Sequence, residues 1–262
     1  MAAGRYPIIT LTSDFGLKDH YVAAMKAVLL GHCSQARLID VTHLIPRHDI
    51  LCGSITLERA IDVFLPGTVH LAVIDPGVGT DRRILIVQIN RQLVVCPDNG
   101  LITWAWRRHA KVSGPDRSQA YELTWRPKES SNTFHGRDVM APVAGRLAGG
   151  MPIHSVAHPI DDPILLEIAP ADLSQRRGQI IHIDSFGNAT TNIPHEALRR
   201  IVFKNVKVKG RRLGQLKRTY GDVPPGRPLV LIGSSGLLEI AVRDADAAQQ
   251  LKLCVGDEVV LE

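Results

Sequence analysis

Short apolar runs alternate with helix-patterned segments through residues 8–150, and this alternation constrains the fold more than any other feature. The runs PIITLTS, RLIDVT and TVHLAVID are typical of buried strands. Between them, segment 19–30 carries apolar residues at helical spacing, and Asp49 can cap a helix that Pro66-Gly67 ends. This order predicts a layered α/β domain with a mostly parallel sheet, in which the very apolar third run is central.

The pattern changes towards the C-terminus. RILIVQI and QLVVCP are joined by Asn90-Arg91 as in a hairpin, and DVMAPVAGRLAGG has the pattern of a helix ended by glycines. Prolines then interrupt every periodic pattern, and the remaining chain is nearly all strand-like, which indicates a small barrel or sandwich. We therefore expect an α/β domain over residues 1–160, a connector over 161–176 and a C-terminal all-β, barrel-like domain over 177–262.

Composition excludes several classes of protein. With 45% hydrophobic residues the chain is too apolar for disorder. No run approaches the roughly 18 consecutive apolar residues of a membrane span. Arg5 and Pro7 interrupt the N-terminal segment, so no secretory signal is expected. The 4 cysteines are widely spaced without a CxxC pair, which predicts reduced core thiols and a cytoplasmic protein.

The net charge of +5 raises the question of nucleic-acid binding, because much of the excess lies in residues 199–218. The VFKNVKVKG segment alternates apolar and basic residues, which favours a strand with one solvated face. Only Phe203 and Tyr220 could stack on bases there. We therefore expect no nucleic-acid partner, and RNA binding stays open only as an added activity.

Polar clusters follow several predicted strands, which is where open α/β sheets bind ligands. They are Ser13-Asp14-Phe15-Gly16 with Asp19, the stretch from Asp75 to Arg83, His135-Gly136-Arg137-Asp138, the stretch from Asp184 to Asn188, and Gly233-Ser234-Ser235-Gly236. Asp98-Asn99-Gly100 has the pattern of a structural turn, and we leave it out of the candidate site.

Three interpretations based on single motifs are weaker. Asp14-Phe15-Gly16 resembles a kinase motif, but the only HRD-like segment follows it, whereas a kinase has the reverse order. Gly77-Val78-Gly79 precedes a strand, whereas a dinucleotide loop precedes a helix. His43, His48 and His135 could coordinate a metal with the aspartates, but they show neither the HxH nor the HxxxH spacing of metal ligands, so no metal site is predicted.

Taken together, the clusters resemble the S-adenosyl-L-methionine (SAM) hydroxide adenosyltransferase family, relatives of fluorinase and chlorinase. The matching stretches, in the family's order, are TLTSDFGLKDHYVAAMK, IDVTHLIPRHDI, AVIDPGVGTDRR, CPDNGLITW, NTFHGRDVMAPVAGRLAGG, IDSFGNATTNIP and GSSGLLEIAV. The resemblance implies an α/β domain followed by a β-barrel, in a homotrimer that binds its ligand between domains of neighbouring subunits. It also implies hydrolysis of SAM to adenosine and L-methionine by attack at the ribose C5′, with SAM as substrate and no cofactor.

The resemblance also implies roles for individual residues. Asp75, Arg82 and His135 match the family's proposed catalytic set. The substrate-binding matches are Asp14 for the ribose, Asp19 and Asp184 for the methionine ammonium, Ser234 and Ser235 for its carboxylate, and Phe186 and Asn188 for adenine. The sequence departs from the family at Gly233, where Asn is frequent, and at Val242, where halogenases have Arg.

The chemistry requires activation of water, whose pKa is about 15.7. A carboxylate such as Asp75, held by Arg82, can orient water and stabilise the positive charge that builds on it. His135 can accept or relay the proton. Each residue could instead have a structural role, since Asp75 could simply cap its Pro-Gly turn.

Two other functions stay open beside hydrolysis. A SAM- or adenosine-binding sensor would bind the same ligand without chemistry, although it would have no need for a group that activates a nucleophile. A SAM-dependent halogenase is less favoured, because halogenases carry Tyr-Ser where this chain has His135-Gly136. They also carry an inserted loop near the segment that matches Pro97, which is missing here.

Overall fold

A computed structural model of the chain describes residues 6–109 and 118–262, so that Arg5 lies outside it. The chain divides into two compact units between Leu166 and Glu167. Among the described helices, none is long and apolar enough to cross a bilayer.

The first unit is built on a seven-stranded sheet in the order β2-β1-β3-β5-β4-β6-β7. Strands β2, β1, β3 and β5 are parallel, and β4, β6 and β7 extend the sheet in antiparallel pairs. The strands are β1 (Ile8–Ser13), β2 (Arg37–Thr42), β3 (Val69–Val73), β4 (Ile84–Ile89), β5 (Gln92–Pro97), β6 (Gln119–Leu123) and β7 (Ala157–Ile160). β3 lies between β1 and β5 and is buried along its whole length, which confirms its predicted central place.

Helices cover both faces of this sheet. They are α1 (Tyr21–His32), α2 (Ile50–Val63), α3 (Thr103–His109) and α4 (Ala141–Ala148), with a π-helical turn at Gly136–Met140 and a 3₁₀ turn at Ile153–Ser155. Side chains of α1 and α4 pack with Leu71 and Val73 on one face, and those of α2 and α3 with Ala72 and Ile74 on the other. The alternation of strand side chains between faces thus gives the predicted layered α/β unit, which has three layers.

Local sequence signals account for several element boundaries. Asp49 caps α2 by accepting a hydrogen bond from the backbone N–H of Cys52 at 2.9 Å. Asn90 and Arg91 have φ of +49° and +60°, as a two-residue hairpin turn of type I′ requires, and they join β4 to β5. Helix α1 begins at Tyr21, two residues after the start of the predicted helical segment 19–30.

The second unit is a seven-stranded antiparallel sheet in the order β11-β10-β14-β8-β9-β13-β12. One apolar core contains residues from β10 near one edge and from β12 at the other, so the sheet curls around it as a half-barrel. Its elements are β8 (Arg177–Ile183), β9 (Ala189–Pro194), β10 (Val206–Val208), β11 (Arg211–Arg212), β12 (Pro228–Ile232), β13 (Leu237–Val242), β14 (Glu258–Leu261), α5 (His195–Leu198), α6 (Ala247–Leu251) and a 3₁₀ turn at Tyr220–Asp222. The predicted fold class is confirmed.

Two segments differ in detail from the expectation. Residues 157–160, in the proline-rich stretch, form the edge strand β7, where Pro159 is tolerated because an edge strand leaves some of its N–H groups without a ladder partner. The basic strand is only three residues long, although Val206 and Val208 are buried as the alternation predicted. Lys207 of this strand and Arg212 of the neighbouring strand β11 both pair with Glu262.

Candidate active site

Three predicted catalytic residues lie together in the first unit. The Arg82 Nε donates to Asp75 Oδ1 at 2.5 Å, and its Nη2 donates to the other carboxylate oxygen, which makes a bidentate pair. The same Nη2 lies 3.2 Å from His135 Nδ1. The side chains of Asp75 and Arg82 are only 5% and 10% exposed, so water screens their charges weakly.

The loop after β3 turns back so that Arg82 reaches Asp75. Gly79 has φ of +81°, and a Cβ at this position would lie 2.5 Å from the Asn132 carbonyl oxygen. Only glycine therefore allows this loop to pack against the segment that carries His135. That histidine directly precedes the π-helical turn, a form of helix that is frequent at functional sites.

The contact with Arg82 fixes the protonation of His135. A guanidinium can only donate hydrogen bonds, so His135 Nδ1 must accept, and in the neutral ring the proton sits on Nε2. Burial and then the positive charge of Arg82 lower the pKa of His135 below its ordinary value. The imidazole is therefore neutral at neutral pH, with an N–H donor at Nε2.

Asp14 lies at the same edge of the sheet as Asp75. Ser13 at the end of β1 is paired with Val73 at the end of β3, and Asp14 follows directly. One Asp14 oxygen, Oδ2, accepts a hydrogen bond from the backbone N–H of His48 at 2.9 Å. The ring of Phe15 packs edge-on against Phe134, with centroids 5.7 Å apart, which links the Asp14 loop to the His135 segment.

The remaining predicted residue of the first unit, Asp19, is exposed just before α1. Sequence reasoning did not predict the side-chain contacts that hold the Asp14 loop. The Ser13 hydroxyl lies 2.7 Å from His43 Nδ1, and His43 Nε2 lies 3.1 Å from Asp40 Oδ1. The backbone N–H of Gly16 donates to the His43 carbonyl at 2.7 Å. The IDVTH segment carries both Asp40 and His43, but nothing in its pattern identifies their partner.

The second unit contains a cavity of about 860 Å³, which we call the C-terminal cavity. Four predicted binding residues line it, namely Asp184, Phe186, Asn188 and Ser234. Phe186 is 76% exposed, and an exposed aromatic side chain offers a flat surface to a ligand ring. Ser235, although predicted with Ser234, is not among the described residues that line this cavity.

Asp184 is committed to its own turn. Its Oδ1 accepts hydrogen bonds from the backbone N–H groups of Phe186 and Asn188 at 2.9 and 2.8 Å. Its Oδ2 accepts from the Asn188 side chain at 3.3 Å. The carboxylate therefore fixes the shape of the turn that presents Phe186 and Asn188, and Oδ2 has the greater capacity left for a ligand.

Two further residues of the C-terminal cavity were not predicted, Tyr220 and Glu239. The Tyr220 hydroxyl donates to Glu239 Oε1 at 2.6 Å. Burial, and then this carboxylate, raise the pKa of Tyr220 to about 12. A single charged residue within the apolar strand LLEIAV was the available sequence signal for Glu239.

Within the described parts of the chain, no group of three or more His, Cys, Asp or Glu side chains is arranged to hold a metal ion. The predicted site residues thus form two sets, one in each compact unit. The first can orient and polarise a small nucleophile, and the second offers an aromatic surface beside polar groups.

Comparison with known proteins gives consistent matches along the chain. Residues 9–157 match the SAM hydroxide adenosyltransferase N-terminal domain, and residues 178–260 match its C-terminal domain. An (R)-S-adenosyl-L-methionine hydrolase of Thermus thermophilus is 40% identical, over 95% of this chain and 97% of the relative. A Salinispora arenicola protein of the same name is also 40% identical, over 97% of both. A fluorinase of an Actinoplanes species is 26% identical, over 98% of this chain and 97% of the relative.

Two solved structures share the fold of this chain. A crystal structure of an uncharacterized conserved protein from Thermotoga maritima superposes with a TM-score of 0.88 at 34% identity, and it covers 97% of this chain and 100% of that one. A conserved hypothetical protein from Thermus thermophilus superposes with a TM-score of 0.79 at 38% identity, over 98% of this chain and 100% of that one.

Proposed function

This chain belongs to the SAM hydroxide adenosyltransferase family, and from that premise we propose that it hydrolyses SAM to adenosine and L-methionine. The oxygen of water forms a bond to the ribose C5′ while the C5′–S bond breaks. The electron pair of the broken C5′–S bond goes to sulfur, so methionine leaves as a neutral thioether. The attacking water releases one proton. The observation that carries the proposal is the cluster of Asp75, Arg82 and His135 at the carboxyl end of the central strand.

The cluster supports the activation of water in two ways. Arg82 uses one acceptor site on each Asp75 oxygen, and the remaining lone pairs can accept a hydrogen bond from water. Asp75 then stabilises the positive charge that develops on the attacking oxygen. Neutral His135 can orient water by donating from Nε2. His135 can also relay the proton. Once the Nη2 donor of Arg82 turns away, Nδ1 can accept a proton from water while Nε2 releases its own.

The binding roles follow the two sets of residues. Asp14 pairs with the ribose hydroxyls, since a carboxylate has acceptors for both donors of a cis-diol. Phe186 packs on adenine and Asn188 bonds its edge, which the C-terminal cavity supports. The methionine end is bound by Asp19 and Asp184 at the ammonium and by Ser234 and Ser235 at the carboxylate.

We further propose a homotrimer in which the first unit of one subunit and the second unit of its neighbour complete each site. The division of the site residues between two units supports this arrangement. No resident cofactor or metal is needed, because sulfonium is already an activated leaving group. A cytoplasmic location is supported by the free thiols of Cys33, Cys96 and Cys254.

The structure favours water over a halide as nucleophile. Halogenases place a serine at the position of Gly136, where its hydroxyl would bind the halide. Here a Cβ at 136 would lie 3.1 Å from Val73 Cγ1 and 3.5 Å from the Met25 sulfur, so a serine would be crowded.

The direct test incubates the purified protein with SAM in H₂¹⁸O and separates the products by chromatography with mass detection. Hydrolysis at C5′ gives methionine and adenosine that carries ¹⁸O in the 5′-hydroxyl. Because the relatives are named for the (R) form of SAM, both sulfonium diastereomers should be tried. Bound but unchanged SAM would contradict the proposal and favour the sensor, and 5′-halogenated adenosine in added chloride or fluoride would favour the halogenase.

A further inference from the structure

Glu239 is a buried carboxylate inside the C-terminal cavity. Its neighbours along β13, Leu238 and Ile240, point into the barrel core, so Glu239 lies on the opposite face with Leu231 and Ala241. It is only 9% exposed, yet it lines the cavity together with four residues that were predicted to bind the substrate. Glu239 therefore places a carboxylate at the border of a space that a ligand can fill.

Two neighbours hold this carboxylate in place. The Tyr220 hydroxyl donates to Oε1 at 2.6 Å. On the other side, a Cβ at Gly233 would lie 2.6 Å from Oε2, so the carboxylate occupies the space that a side chain at 233 would need. A larger residue at 233 would therefore require the end of the Glu239 side chain to shift.

The charges of the cavity determine which ligand group suits Glu239. The charged residues that line it are Asp184, Glu239 and Asp244 against Arg218, a net charge of −2 from three carboxylates and one guanidinium. Asp184 uses Oδ1 for its own turn but keeps capacity at Oδ2, so it can share a cationic group of the ligand with Glu239. A carboxylate oxygen pairs best with a group that both carries positive charge and donates hydrogen bonds. An ammonium has three such donors, whereas a sulfonium has none.

We infer that Glu239 is a specificity-determining residue that binds the α-ammonium of the substrate, with Tyr220 and Gly233 as the residues that position it. The inference rests on the proposed function, because SAM carries this ammonium and its product adenosine does not. Glu239 thus makes the cavity select the amino-acid part of the substrate and lets adenosine leave.

Calorimetric titration with two ligands that lack the sulfonium tests this inference without turnover. S-adenosyl-homocysteine retains the ammonium, and 5′-methylthioadenosine lacks the amino-acid part. Glu239→Gln should weaken S-adenosyl-homocysteine binding by about tenfold to a hundredfold, as expected for a charged hydrogen bond, and leave 5′-methylthioadenosine within about twofold. The matched control is Glu196→Gln, an equal charge change at an exposed residue of α5 outside the cavity, which should change neither affinity.

Two further variants test the positioning. Tyr220→Phe should cause a smaller loss with the same ligand selectivity. Gly233→Ala moves Oε2 without removing its charge, so it should cause a smaller loss with the same ligand selectivity, and the double variant with Glu239→Gln should lose no more than Glu239→Gln alone. Melting temperatures of all variants separate these effects from unfolding.

Equal weakening of both ligands by Glu239→Gln, or no weakening of either, would overturn the inference and make Glu239 structural. Since neither ligand is hydrolysed, this result is independent of the SAM assay. If the wild-type protein releases adenosine from SAM but Glu239→Gln does not weaken the two ligands selectively, only the inference is refuted. If Glu239→Gln weakens S-adenosyl-homocysteine selectively but the wild-type protein forms no products from SAM, only the hydrolase proposal is refuted.

Discussion

The consecutive arginines Arg82 and Arg83 allow catalysis at Asp75 to be separated from stability. Arg82 pairs with both oxygens of Asp75. Arg83 pairs with one oxygen of Asp98, whose side chain is 1% exposed and lies 2.7 Å from the guanidinium, and it also pairs with Asp162. Asp98 also accepts a hydrogen bond from the backbone N–H of Ile164, as expected for a structural carboxylate. Asp75→Asn and Asp98→Asn therefore remove the same charge from two buried carboxylates of one loop region.

Asp75→Asn and Asp98→Asn should differ in their effects on stability and, above all, on turnover. Asp98→Asn should cost less unfolding free energy, because Arg83 keeps its pair with Asp162 and is 25% exposed. Asp75→Asn leaves the buried Arg82 without a carboxylate, which costs about 3–5 kcal/mol of unfolding free energy. For a unit of this size that lowers Tm by about 6–20 °C. Asp75→Asn should in addition reduce turnover by about 10²–10⁴-fold, because the amide keeps the shape but cannot stabilise positive charge on water. Asp98→Asn should keep turnover per folded molecule close to wild type.

The assay measures initial rates of adenosine release at saturating SAM, at a temperature well below the Tm of both variants. Calorimetry gives the folded fraction, and titration with S-adenosyl-homocysteine checks that Asp75→Asn still binds ligand. The reasoning is refuted if Asp75→Asn loses rate only in proportion to its folded fraction, or if Asp98→Asn loses as much rate as Asp75→Asn.

Three further predictions concern acid–base chemistry and assembly. His135→Ala should lose less turnover than Asp75→Asn and recover part of it at alkaline pH, whereas a flat pH–rate profile would remove His135 from the proton path. Burial lowers the pKa of His70 from 6.5 to about 4, so the fold favours the neutral ring; stability should be full above pH 6.5 and fall by about 3 kcal/mol towards pH 4. Denaturant titrations should show a smaller fall for His70→Gln, and an equal fall would assign the acid sensitivity elsewhere. Co-expressed Asp14→Ala and Asn188→Ala chains should regain activity in mixed trimers, and no recovery from verified mixed trimers would place the site within one chain.

Much of the fold could be predicted because its signals are local. Val22, Met25 and Leu29, which recur at helical spacing in segment 19–30, are the residues that α1 buries. The polar strand β9 was not predicted, because ATTNIP carries no apolar alternation. Its residues Thr190 and Thr191 are buried only because β9 lies between β8 and β13. Burial of this kind is a property of the sheet and leaves no periodic signal in the chain.

The sequence alone determined the alternation of strands and helices in residues 8–89, the change to a strand-rich C-terminal part and the family resemblance, because side-chain period, caps and turns act within a few residues. Only the tertiary structure decided which atoms meet. It brings His135 to Arg82 across 53 residues of chain and Tyr220 to Glu239 across 19. Such contacts depend on strand pairing and on the direction of each side chain, which are fixed only when the sheets pack, so no local pattern encodes them.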